Sequence, residues 1–285
     1  LDLGGEVVWV PELSWDLNAK LAGFDPGYFA PGWDGNLSGQ FASKGKQLPA
    51  HADGSAAGYQ ASLDVPRLNG KLRSRPLDAN GKFALQGTQG EGKLQLALGD
   101  SRVQAQGKVG DQLDIDAQLQ PLQLADLLPG ATGSLRGSVQ VKGRRDAPDL
   151  TADLTGNGLK WDSYGADSVS LRGRLPWRGS GGELALRGSA ISAGVVLETL
   201  RVDARGAVEN LQLDADTHNG MGALAFAGQL RRDGARWQGG LNTLRVAPAK
   251  GEPWQLRQPA TFAIAGSAFT LSDTCLGATG GGALC

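Results

Sequence analysis

Few side chains in this sequence have the types and spacings that do chemistry. His51 and His218 are its only histidines, too far apart in sequence to suggest a metal pair, and a ligand cluster needs more partners than they offer. Both read as loop or polar-face residues. Asp111, Asp114 and Asp116 resemble a calcium loop, and Asp214 with Asp216 repeats part of it. The run lacks the Gly that an EF-hand turn requires and the Gly-Gly-x-Gly-x-Asp pattern of calcium β-rolls. In a strand, Asp114 and Asp116 share the face opposite Leu113 and Ile115, the solvated side of an amphipathic strand. No Gly-x-Ser-x-Gly elbow, phosphate-binding Gly-x-x-x-x-Gly-Lys-Ser/Thr loop or Gly-x-Gly-x-x-Gly opening a helix is present. With no convergent nucleophile, base and orienting group, the expectation is a protein that is not an enzyme and takes no metal or other cofactor.

Cys275 and Cys285 are the only cysteines, and a Gly-rich turn separates them between two candidate strand ends. Such a pair fits a disulfide across a hairpin, and hence an oxidising compartment. Of the seven tryptophans, Trp9, Trp15, Trp161 and Trp177 sit in or next to alternating runs, where aromatics are favoured strand residues. Trp33 stands instead at a repeat joint, where it is expected to pack under the next module.

Period-two alternation dominates the elements that must carry these residues. It runs through Leu94/Leu96/Leu98, Leu113/Ile115/Ala117/Leu119, Val139/Val141, Leu184/Leu186, Leu200/Val202/Ala204, Leu211/Leu213/Ala215, Leu224/Phe226 and Phe262/Ile264, each bounded by Gly, Asn, Asp or Pro. With 44 Gly and 13 Pro, helix interiors are disfavoured and turns abundant. Two short segments alone suggest helix, Leu122–Leu128 and Pro26–Ala30, and neither is long enough to cover a sheet. The predicted fold is all-β: an elongated, mostly antiparallel curled sheet forming an open groove, built from repeats. The net charge of −1, with 28 basic and 29 acidic residues scattered singly, leaves no electrostatic footprint for nucleic acid or an anionic membrane surface. No segment approaches the roughly 18 apolar residues of a membrane-spanning helix. The opening Leu1-Asp2-Leu3-Gly4-Gly5, without initiator Met or signal sequence, leads us to expect a processed chain or an internal fragment.

An internal repeat accompanies the short helices. Pro31-Gly32-Trp33-Asp34-Gly35-Asn36-Leu37-Ser38-Gly39, followed by Lys44-Gly45, matches Pro129-Gly130-Ala131-Thr132-Gly133-Ser134-Leu135-Arg136-Gly137, followed by Lys142-Gly143, 98 residues later. The same spacing relates Asp111–Ala117 to Glu209–Ala215. This divides one continuous segment, 1–285, into repeat units 21–118 and 119–223 and an aromatic- and Cys-containing subregion, 224–285.

The apolar side of such a sheet needs a partner, because monomers rarely expose more than a few hundred Å² of contiguous apolar surface. Either the sheet folds on itself as a sandwich, or it curls into a trough that holds lipid acyl chains. Each tail methylene removed from water contributes about 0.8 kcal/mol, so a lined groove holds lipid without a specific polar site.

Leu127-Leu128-Pro129-Gly130 with Gly133-Ser134-Leu135-Arg136-Gly137, then Ala147-Pro148-Asp149-Leu150 and Leu154-x-Gly156-Asn157-Gly158-Leu159, resembles the repeated AsmA-like segments of the TamB family. The tail, Trp237-Gln238-Gly239-Gly240-Leu241, Trp254-x-Leu256-x-x-Pro259-Ala260 and the two cysteines, is similar to the stretch leading toward that family's C-terminal domain. The resemblance implies a periplasmic β-groove whose parent is anchored in the inner membrane of a Gram-negative bacterium and docks on the outer-membrane barrel TamA. It implies outer-membrane biogenesis, with phospholipid acyl chains carried along the groove and outer-membrane proteins such as autotransporters assisted in assembly. On that reading Leu94, Leu96, Leu98, Leu113, Ile115, Val139, Val141, Leu184, Leu186, Leu211, Leu213, Leu224, Phe226, Phe262 and Ile264 line the lipid path. The alternative from a different class is a scaffold or chaperone that binds unfolded outer-membrane protein strands by strand addition; a structural adhesin repeat is a third.

Overall fold

The computed structural model describes residues 2–49 and 58–285. Of the described residues 74% are strand, paired antiparallel, with almost no helix. Two compact units make up the chain, one of residues 1–130 and 134–146, the other of 131–133 and 147–285.

The first unit is a meander of β1 (Asp2–Val8), β2 (Ser14–Phe24), β3 (Gly35–Gln47), β4 (Tyr59–Leu72), β5 (Arg75–Gln86), β6 (Gln89–Leu98), β7 (Ser101–Val109), β8 (Gln112–Gln123) and most of β9 (Thr132–Arg144). A 3-10 turn, Pro26–Tyr28, follows β2, and α1, Leu124–Leu127, follows β8. Both expected helical segments are therefore present but shorter than their sequence runs, since Leu122 and Gln123 still pair with β9. From β4 to β8 the strands follow one another through tight turns of two residues. Between β6 and β7 the turn takes Gly99 at φ +55°, which only Gly adopts without cost.

The second unit continues the pattern with β10 (Ala147–Trp161), β11 (Tyr164–Leu175), β12 (Gly182–Ser192), β13 (Val196–Ala207), β14 (Asn210–Asn219), β15 (Gly222–Asp233) and β16 (Arg236–Pro248). There the ladder forks. The start of β16 pairs with β18 (Ala260–Ala265), which pairs with β19 (Ala268–Leu271); its end pairs with β17 (Trp254–Leu256), then β20 (Leu276–Ala278) and β21 (Ala283–Leu284). The Cys275–Cys285 disulfide is formed and closes the hairpin of β20 and β21.

Some residues 98 apart in the sequence occupy like positions in the first unit. β2 carries a bulge between Leu21 and Phe24, and β8 carries one between Leu119 and Leu122, 98 residues on; each precedes a short helix. Lys44 pairs with Asp16 at 2.8 Å, and Lys142 with Asp114 at 3.5 Å, at the same spacing. Gly45 stands opposite Trp15, and Gly143 opposite Leu113.

Most of the first unit's fully buried apolar residues gather at one end of its strands. Leu37, Leu77, Ala79 and Leu98 form a dry cluster, flanked by Phe24, Leu68, Leu72, Leu96 and Leu127 of α1.

Candidate functional site

Residues directly opposed in antiparallel strands share a face, so the registers decide where the alternating residues go. In the first unit Leu17, Ser43, Leu63, Phe83, Gly92, Gly107, Ile115 and Val141 form one row across seven pairings, running from β2 to β9. Leu94 joins Ala105, Ala117 and Val139 in a second row, Leu96 joins Val103 and Leu119 in a third, and Leu98 opposes Leu77 in a fourth. Leu113 lies beside Ile115 on the same face. All seven predicted residues of this unit thus share one side of the sheet.

The second unit repeats the arrangement. Leu184, Ala204, Leu213, Gly228 and Leu241 make one row, and Leu186, Val202, Ala215, Phe226 and Leu244 the next. Leu211 reaches Phe262 through Leu230 and Gly239, Leu224 opposes Thr217 and Val246, and Ile264 opposes Trp237. The eight remaining predicted residues share one face there.

Three aromatic side chains on these faces stand opposite a glycine, because a large ring needs room across the strand. Trp15 faces Gly45, Phe83 faces Gly92, and Phe262 faces Gly239. A β-carbon on any of these glycines would overlap the ring opposite, so the rings lie flat on the backbone instead of standing over the face. This glycine device was not legible in sequence, since it depends on which residues become neighbours across strands.

Exposure of the apolar face is graded. Leu98 is 1% exposed and Leu37 and Leu77 7%, whereas Phe83 and Leu85 are 42% exposed. Most of the other predicted residues are half-buried, and Leu224 and Ile264 are exposed. A fully buried Leu gains about 1.5–3 kcal/mol; the half-exposed residues realise part of that. A hollow of about 410 Å³ opens on this face among Phe83, Leu94, Ala105, Gly107 and Ile115. At the strand ends farthest from α1 a cavity of about 970 Å³ adjoins Trp15, Ala61, Leu85 and Val109.

The opposite face is polar and cross-linked. Glu91, Lys108, Asp114 and Lys142 alternate in sign along one row; a hollow of about 650 Å³ lies on this side among Lys82, Lys93, Gln106 and Asp116. Exposed pairs such as Lys82–Asp64, 2.7 Å, contribute about 0–1 kcal/mol each. Asp116 accepts a hydrogen bond from Gln140, and Asp114 is paired with Lys142. Asp203 sits between Arg187 and Arg201, which both donate to it. The Arg187 hydrogen bond, opposed in part by burial and reinforced by Arg201, holds its carboxyl below the usual carboxylate range.

His218 pairs with Glu198 at 2.9 Å on the polar face; His51 lies outside the described residues. Among the described residues no group of three or more His, Cys, Asp or Glu side chains is placed to hold a metal ion, and no helix is long and apolar enough to cross a membrane. Trp33 has the Arg73 guanidinium 5.8 Å from its ring, a partner from the turn between β4 and β5 that its place at the repeat joint did not announce. Arg232 lies between Trp177 and Trp237, 5.4 and 5.7 Å from their rings. The Trp177 indole donates to Glu209, whose carboxyl is also lowered, chiefly by the hydrogen bond from Arg178.

The family described as TamB, N-terminal domain, matches residues 1–285, the tail included. The chain is 24% identical over 255 residues to the translocation and assembly module subunit TamB of Haemophilus influenzae, an alignment that covers 87% of the chain and 19% of that relative. It therefore spans about a fifth of the relative's length. No solved structure matches it. With the family matched over its whole length, the chain belongs to the TamB family.

Proposed function

We propose that this chain is a periplasmic section of a non-enzymatic conduit for phospholipid, in which acyl chains lie against the apolar face of each unit. The observation that carries this reading is the alignment of apolar residues from consecutive strands on one face whose members stay half-exposed among the described residues. Such a face attracts any flexible hydrocarbon in proportion to the area covered, and the alternating charges behind it keep the other side in water. Family membership supports a role in the translocation and assembly module. In this reading the parent protein is anchored in the inner membrane of a Gram-negative bacterium, docks on the outer-membrane barrel TamA, and helps assemble outer-membrane proteins and autotransporters.

Mass spectrometry of an organic extract of the purified chain tests the reading. Phospholipid in near-stoichiometric amount, absent from an unrelated β-protein prepared alongside, is the expected result. An extract without lipid, together with binding of unfolded strand peptides that detergent does not displace, would favour a chaperone instead.

A further inference from the structure

The apolar face of the first unit is not uniformly available, and the reason lies in α1. Ser101, fully buried, continues the row of Leu37, Gly70, Leu77 and Leu98. Its Oγ donates to Asp126 Oδ2 at 2.5 Å and accepts from the backbone N–H of Gln123 at 2.8 Å. Asp126, 4% exposed, also accepts the N–H of Ser101 at 3.1 Å and pairs with Arg75 at 2.5 Å. A buried carboxylate with this many partners is costly to displace, because removing one leaves the others unsatisfied. Leu127 of the same turn packs on the dry cluster.

A second fastening comes from the turn between β4 and β5. Arg73 and Ser74 both adopt positive φ, 51° and 64°, a conformation that costs a non-Gly residue of the order of 1–3 kcal/mol and persists only where the surroundings impose it. Here the Arg73 guanidinium donates to the carbonyls of Ala125 and Asp126, at 3.2 and 3.3 Å, and stacks on Trp33. The 3-10 turn Pro26–Tyr28 stands 98 residues earlier in the sequence, just after Phe24, but none of its residues is buried.

We propose that α1, pinned by Asp126 and Arg73, is a wall that closes one margin of the acyl path in this unit. Chains are thereby confined to the rows of Leu63, Phe83, Ile115 and Leu94 and to the margin at Leu85 and Val109, and kept off Leu37, Leu77 and Leu98. This rests on the acyl-chain reading above. Asp126 is a positioning residue: it touches no lipid and acts through the turn it holds.

Methyl NMR of the 285-residue chain, mixed with a phosphatidylcholine that carries a nitroxide on its acyl chain, tests the wall. Signals of Leu63, Leu85, Val109 and Ile115 should be lost while those of Leu37, Leu77 and Leu98 persist. In Asp126→Ala, or in Leu127→Ala if the first variant does not fold, Leu77 and Leu98 should be lost as well, with the β-sheet circular dichroism unchanged. Equal loss in all rows of the unmodified protein, or persistence of Leu77 and Leu98 in a folded variant, overturns the wall while leaving the acyl reading intact. Absence of any loss overturns the acyl reading and the wall with it.

Discussion

Trp15 lies over Gly45, the residue directly opposite it on β3, and its indole N–H donates to Ser43 Oγ at 3.0 Å. The glycine is what allows the ring to lie flat, because a methyl group at that position would occupy the space of the six-membered ring.

Gly45→Ala is therefore expected to destabilise the chain by about 1–3 kcal/mol, the cost of overpacking, although Ala is ordinarily favoured over Gly in a strand by about 0.5–1 kcal/mol. Trp15→Leu in the same background should recover most of the loss. Urea denaturation of the two variants is the measurement; a neutral or stabilising Gly45→Ala would contradict the packing described.

The graded exposure predicts that position decides the outcome of core substitutions. Leu98→Ala should cost about 2–5 kcal/mol, as for a well-packed interior, while Leu85→Ala on the open margin should change stability little. Similar midpoints for both would show that the cluster beneath α1 is not a dry core.

Asp203 gives a pH dependence whose sign is fixed by its depressed folded-state pKa. Its contribution is fully present above the unfolded carboxylate value, about 4, and is lost as pH falls through the folded value. Asp203→Asn should flatten that part of the stability profile, with the difference from the unmodified protein vanishing at the acid end. A difference that grows toward low pH would mean the sign is wrong.

The disulfide Cys275–Cys285 closes a short loop and is expected to stabilise by about 2–3 kcal/mol through the restricted unfolded chain. Thiol titration of the denatured, unreduced protein should find no reactive group. Two reactive thiols per chain would argue against both the bond and an oxidising compartment.

Alternation was enough to assign each of the predicted leucines to a face, because the side-chain period of a strand is two whatever its neighbours. The cysteine pairing followed from spacing and local symmetry, whereas the two bulges and two ion pairs found 98 residues apart were not legible in the repeat. What stayed hidden depends on register. Nothing in the run around Asp126 distinguishes a buried carboxylate from a solvated one, since its partners Ser101 and Arg75 are 25 and 51 residues away. Trp33 was placed under a following module, but Arg73 reaches it through a turn of the same unit.

The central claim, that the apolar faces carry acyl chains, is tested most directly by the phospholipid retained on Ile115→Asp and Leu213→Asp, measured by mass spectrometry beside the unmodified chain and the polar-face control Asp114→Asn. Both positions are half-buried, so the new carboxylates reach water and the variants should keep their β-sheet circular dichroism; a charge in a closed, packed core would lack a partner and cost several kcal/mol. The expected result is folded protein with markedly less bound phospholipid in the two face variants and unchanged lipid in the control. Outright unfolding of both, or lipid retained in full by folded Ile115→Asp and Leu213→Asp, would contradict it.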